Sequence, residues 1–138
     1  MEQHDLKKRT KQFALRCMQL CDTLPSRDSG RVISNQLLRS STSVAANYRA
    51  ACRARSKAEF LSKLGIVEEE VDESALWLEL VMEGGLLKPS LVEALYDEAD
   101  QLTRIVVASI VTSRSSRSIP QSARPPIRNP KSAIRNSR

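Results

Sequence analysis

Hydrophobic positions in the first 113 residues recur every three or four places, the spacing of one face of an α-helix, and nowhere alternate as a half-buried strand would. Leu6, Thr10, Phe13, Cys17, Leu20 and Leu24 form the first such series. They predict a helix from about Asp5 to Leu24, halted by Pro25, because proline disfavours helix at the residue before it. A second series, Ile33, Leu37, Val44, Tyr48 and Ala51, predicts a helix to about Arg53, with Ser26, Asp28 or Ser29 available as its cap. Ser56-Lys57-Ala58-Glu59 has the form of a capping box and marks a new start. From there Phe60, Leu64, Val67, Val71, Ala75, Leu78 and Met82 predict a long central helix over Lys57 to Glu83, ended by Gly84-Gly85. Ile66, Trp77, Leu80 and Val81 lie outside that stripe and predict a second buried face, as self-association or a central place in the bundle would provide. Pro89-Ser90 opens a fourth helix to about Ser113 through Leu91, Leu95, Ala99, Leu102, Val106 and Ile110. The short connections make consecutive helices antiparallel neighbours. The predicted fold is all-α, an antiparallel up-and-down four-helix bundle over residues 1–113.

Two polar stripes accompany the apolar face of the second helix. Gln36, Ser40, Ser43 and Asn47 run along its edge and predict a seam of small or polar side chains between helices or subunits. Arg31, Arg39, Arg49 and Arg53 gather on a separate arc, continued by Arg55 and Lys57. Such an array suits successive phosphates, arginine adding bidentate geometry. With no interleaved aromatic platform for bases, binding would follow shape and charge. The other reading of these arginines is pairing with the acids of the third and fourth helices, within or between subunits.

Composition first suggests, then complicates, a nucleic-acid partner. The net charge of +6 divides unevenly: residues 1–113 hold 15 Lys and Arg against 16 Asp and Glu, whereas residues 114–138 hold 7 and none. That last segment is rich in Ser, Pro and Arg and repeats itself, PQSA as PKSA and IRN as IRN. It reads as a disordered basic low-complexity tail, either a basic arm that adds nonspecific affinity for nucleic acid or an incidental extension of the reading frame through repetitive DNA. Inside the body, residues 1–67 carry 13 basic and 5 acidic groups, and residues 68–113 carry 2 and 11. A polarised body of this kind attracts phosphate with one face or pairs with itself.

Chemistry finds little support. The one histidine, His4, leaves a carboxylate-bridged di-metal site without its ligands, and Glu68, Glu69, Glu70, Asp72 and Glu73 spread around their helix. Ser40, Ser41, Thr42 and Ser43 lack a histidine partner and a nucleophile elbow. There is no glycine-rich phosphate loop. Cys17, Cys21 and Cys52 are an odd set without metal-ligand spacing, which points to buried thiols in a reducing, cytoplasmic setting. No run of roughly 18 apolar residues is present. We expect no catalytic residue, metal or other cofactor, and no membrane partner.

The runs QLLRSSTSVAANYRAA, SKAEFLSKLGIVEEEVDES and WLELVMEGGLL closely resemble the four helix bundle protein family, also described as the 23S rRNA intervening-sequence protein family. The accessory variability protein of diversity-generating retroelements is a relative. The resemblance covers about Leu6 to Ser113. It implies a noncatalytic up-and-down bundle assembled as a homopentameric barrel. Through the retroelement relative it also implies RNA or DNA, and a reverse transcriptase, as partners of a basic surface. Where the family commonly places a glutamate close after the asparagine, as in N-Y-R-E-A, this chain has Ala50.

Overall fold

The computed structural model describes residues 3–116, so the tail expected after the bundle lies, from residue 117 on, outside the described residues, and among those described every regular element is helical. The first helix, α1 (Gln3–Cys21), begins two residues before the expected start and stops three residues short of Leu24. Its last turn tightens instead of continuing: the Thr23 and Leu24 amides donate to the Leu20 and Cys21 carbonyls at 2.9 and 3.1 Å, and the Thr23 hydroxyl takes the Leu20 carbonyl too, at 2.7 Å. A short link then leads to α2 (Asp28–Cys52). Its N-cap position is Arg27, with no side-chain cap, and Asp28 takes a left-handed φ of 53°. Gly30 is buried against this link, and a Cβ there would fall 2.3 Å from the Pro25 carbonyl oxygen, so only glycine lets the chain reverse this tightly. Ser34 and Cys21 clasp the corner, the serine hydroxyl donating to the Cys21 carbonyl at 3.3 Å and the thiol to the Ser34 carbonyl at 3.6 Å.

The central helix α3 spans Lys57–Glu83, the limits that its sequence signals predict. Ser56 caps it by accepting from the Glu59 amide at 3.1 Å, while the Glu59 carboxylate accepts from the Arg55 amide at 3.1 Å, one residue earlier than a standard capping box. At its other end the Leu86 amide donates to the Val81 carbonyl (3.0 Å) and the Gly85 amide to the Met82 carbonyl (3.2 Å). These are the paired bonds of a Schellman cap, with Gly85 at φ 72°. Pro89–Leu91 forms a 3-10 turn before α4 (Glu93–Ser115), so the proline opens the helix through a tighter turn and α4 runs slightly past the expected end.

Consecutive helices share the main interfaces, α2 with α3 above all, and α1 closes the ring on α4 through a thinner one. A four-helix bundle results. Phe13, Leu37, Val44, Leu64, Val67, Val71, Leu78, Leu102 and Val106 are fully buried at its centre. Truncating one of the leucines, as in Leu64→Ala, removes buried apolar surface and leaves a cavity, costing about 2–5 kcal/mol. The thin α1–α4 edge carries a bidentate ion pair, Arg9 Nε to Glu98 Oε2 at 3.0 Å and Nη2 to Oε1 at 2.7 Å. The second apolar face of α3 is largely accounted for within the chain. Val81 is fully buried and Ile66 and Trp77 are half-buried, because α3 packs on both α2 and α4. Leu76 and Leu80, one turn apart, stay exposed.

Candidate nucleic-acid interface

The edge of α2 that faces α3 is lined with small residues, and this decides how closely the two helices approach. Ser40 and Ser74 are fully buried and their hydroxyls meet at 2.7 Å, while Ser74 also donates to the Glu70 carbonyl at 2.9 Å. Gln36 and Ser43 are half-buried along the same edge. Asn47 turns back on its own helix, its amide donating to the Ser43 carbonyl and hydroxyl at 3.0 and 2.9 Å. Of the four seam residues, Ser40 has the hydrogen bond that crosses to α3. Ser41 and Thr42 donate to the Leu38 carbonyl at 3.4 and 2.7 Å. The serine run is thus spent on packing and back-bonding.

The arginine stripe breaks into three parts. Arg31 stands exposed near the start of α2, about 27 Å along the helix from Arg49 at the usual 1.5 Å rise. Arg39, in the middle, is held by α3: its guanidinium bonds Glu70 at 3.3 Å and also Glu73. Glu73 in turn accepts from the Trp77 indole at 3.2 Å. The Arg39 hydrogen bond holds the Glu73 carboxyl below the usual carboxylate range, and the same bond raises the arginine.

Arg49, on the last turn of α2, and Arg53, at its C-cap, form the third part. With Arg55 in the corner and Lys63 on α3 they line an open groove of about 610 Å³. Ala46 and Ala50 supply its small side chains and Glu59 its carboxylate. None of these four cations makes an ion pair among the described residues. Glu59 is partly engaged by the Arg55 amide. Lys57 lies outside the groove lining, and its ammonium reaches the Ser116 carbonyl at the end of α4. Lys63 is a lining residue that the stripe on α2 does not reveal. Its spacing of one turn from Glu59 places it on the same side of α3, but only the α2–α3 corner brings it to the arginines.

A larger electrostatic pattern follows from the topology. Up-and-down packing puts the start of α1, the end of α2, the start of α3 and the end of α4 at one end of the bundle. Lys7, Lys8, Lys11, Arg49, Arg53, Arg55, Lys57, Lys63 and Arg114 belong to that end, and the Lys7 charge is felt by the Cys52 thiol across it. Glu79, Glu83, Glu93 and Asp97 belong to the other, together with the exposed Arg27, Arg31 and Lys88. Tyr96 and Glu79 mark the acidic end, joined by a 3.1 Å hydrogen bond.

The thiols sit apart from this surface. Cys17 is fully buried and burial pushes its pKa up to about 12, which keeps it protonated and unreactive. Cys21 and Cys52 are raised by burial as well. Among the described residues no three His, Cys, Asp or Glu side chains come together as metal ligands. Among the same residues no helix is long and apolar enough to cross a membrane.

Fold and surface together define an all-helical four-helix bundle with one cationic end. The profile of the family described as 23S rRNA-intervening sequence protein matches residues 2–108, and the chain belongs to that family. Among solved structures it is similar to a protein with unknown function from the S23 ribosomal protein family of Bacteroides thetaiotaomicron. The two share 30% identity and a TM-score of 0.70 over 76% of this chain and 97% of that one. Among curated proteins nothing matches.

Proposed function

We propose that this chain is a noncatalytic accessory protein that binds the sugar-phosphate backbone of RNA or DNA through the groove at the α2–α3 corner. The observation that carries the reading is the group Arg49, Arg53, Arg55 and Lys63, four cations around alanines with no ion-pair partner among the described residues. Guanidinium forks match phosphate bidentately, and small side chains between them let a backbone approach. The groove has no aromatic lining, which favours backbone contact over base stacking. The protein acts as a homo-oligomer, a pentameric barrel being the form that family resemblance implies, and exposed Leu76 and Leu80 supply apolar surface for such assembly. A reverse transcriptase, implied by the retroelement relative, is the protein partner of this proposal.

Binding of labelled RNA and DNA across a salt series tests the reading. Each phosphate neutralised contributes about −0.9 to the slope of log K against log salt on duplex DNA, so Arg49→Ala/Arg53→Ala/Arg55→Ala should flatten the slope by about 3. Salt-insensitive or absent binding by the full chain overturns it. A second reading, subunit contacts, is favoured by the exposed apolar pair Leu76 and Leu80 on α3, whereas the pairs of Arg39 with Glu70 and Glu73 lie within one chain. Under that reading the same triple variant loses oligomer mass in solution instead. A monomeric parent protein would overturn the assembly part of the proposal.

A further inference from the structure

Two stripes of exposed residues run along diagonal corners of the bundle, α1 and α3, each of which packs on α2 and α4. Along α1 and the turn that ends it, Lys8, Lys11, Leu15, Met18 and Asp22 follow one another at three or four residues, all exposed. Along α3, Glu69, Asp72, Leu76, Leu80 and Glu83 do the same. Each stripe sets an apolar pair between charges: Leu15 and Met18 are 41% and 43% exposed, Leu76 and Leu80 45% and 38%. The charges of the first begin with lysines, and those of the second are all acids. Among the described residues, Lys8, Lys11, Glu69, Asp72 and Glu83 make no ion pair.

The fold holds the two stripes at nearly the same height. Cys21 is level with Ser34 through their two hydrogen bonds, and Ser40 is level with Ser74. Counted along the antiparallel helices from these contacts, Leu15 is level with Ser40 and hence with Ser74, and Met18 with Trp77. Each residue of the α1 stripe thus lies within about 3–5 Å, along the bundle axis, of its counterpart on α3. Lys8 and Lys11 correspond to Glu69 and Asp72, and Leu15 and Met18 to Leu76 and Leu80. Asp22 corresponds to Glu83, a like pair, but Arg31, one turn before Ser34 on α2, is level with Glu83 as well.

We propose that the α1 stripe of one protomer packs against the α3 stripe of a second copy, apolar pair on apolar pair, with Lys8 and Lys11 set against Glu69 and Asp72. The inference rests on the homo-oligomer of the proposed function and names the two faces that meet in it. An α3–α3 contact would bring acid to acid in either direction, so charge favours the mixed pairing. The contact is heterologous, each protomer using α1 on one side and α3 on the other. Both stripes lean toward α2. At 100° per residue Met18 falls on the side of α1 that carries Cys21, and Leu80 on the side of α3 that carries Glu73, and both of those residues bond to α2. The two contact directions meet at less than a straight angle, and successive protomers curve toward a ring instead of stacking in a line.

The test measures mass in solution over a concentration series for three full-length chains: the parent, Leu76→Gln/Leu80→Gln and Leu15→Gln/Met18→Gln. Each variant is expected to self-associate at least about 30-fold more weakly. Melting temperatures should stay close to the parent's, since the sites are exposed and glutamine is a good helix former. Mixed in equal amounts, the two variants should pair 1:1, because each keeps the face that the other has lost. Lys8→Glu/Lys11→Glu should weaken association about 10-fold, and adding Glu69→Lys/Asp72→Lys to the same chain should restore it. A monomeric parent fails both the assembly part of the proposed function and this inference. A parent that assembles while both glutamine variants keep its mass leaves the assembly standing and overturns the α1–α3 contact. Self-assembly by one glutamine variant alone, no 1:1 species on mixing, or no rescue by the charge exchange overturns that contact too.

Discussion

Arg39 and Arg49 lie ten residues apart on the polar arc of the same helix, yet the bundle gives them different work. Arg39 faces Glu70 and Glu73 and is tied into the α2–α3 interface. Arg49, with Arg53, Arg55 and Lys63, opens onto a groove containing one acid, Glu59. A periodic charge stripe thus says which face of a helix is polar and nothing about what stands opposite. The neighbour decides whether a cation holds the fold together or remains available to a ligand.

The two regions of α2 differ most in what they tolerate in packing. Ser40→Leu forces a branched side chain into the tight α2–α3 contact and removes the hydrogen bond of Ser74 across it, leaving Ser74 its bond to the Glu70 carbonyl. The change should cost about 2–4 kcal/mol in denaturant unfolding. Ala46→Leu, on the groove side of α2, should stay within about 0.5 kcal/mol. Equal losses would mean that the groove is as much a packing element as the seam. Next in size, Ser56→Ala removes the α3 cap beside the groove and should cost about 1 kcal/mol.

The two regions also respond differently to changes of charge. Ala50→Glu sets a carboxylate among the groove cations and should weaken nucleic-acid binding about 10-fold, or roughly 1.4 kcal/mol, with little change in melting temperature. Arg39→Ala should do the reverse: affinity within about twofold, and a small loss of thermal stability that high salt erases, as for any exposed ion pair. The smallest effect is in pH. Glu73 has its folded pKa depressed by Arg39, so its contribution to stability is present above the unfolded carboxylate pKa and lost as pH falls through the folded one. Melting curves from neutral pH down through that acid range should fall more steeply for the parent than for Arg39→Ala. Parallel curves would show that Arg39 and Glu73 do not stabilise the fold in solution.

Much of the architecture was legible in local signals. The limits of α3 follow from Ser56 and Gly84-Gly85, because a capping hydroxyl and a left-handed glycine act within a few residues of chain. The start of α2 was harder. Its link depends on Asp28 in a left-handed conformation and on Gly30 pressed against Pro25, a contact between the loop and the first turn of α2 that no capping rule encodes. For the candidate site, Arg49 and Arg53 were readable as cations on one arc with Arg31 and Arg39, and Arg55 as its continuation. Lys63 was missed because it belongs to the next helix, and Lys57 turned toward α4 because its place in the first turn of α3 faces that neighbour. Asn47, on the seam by spacing, satisfies its amide within its own helix.

What the sequence determined by itself is the set of helices, their apolar faces and the kinds of residue on their polar arcs, since hydrophobic period, caps and turn residues act over a few positions. Only the tertiary structure decided which cations meet acids and which are left open. Electrostatic pairing depends on distances of a few ångströms between helices far apart in sequence. The same packing gathered the start of α1, the end of α2, the start of α3 and the end of α4 into one cationic end. The sequence distributes those charges over more than a hundred residues, and antiparallel packing alone makes them neighbours.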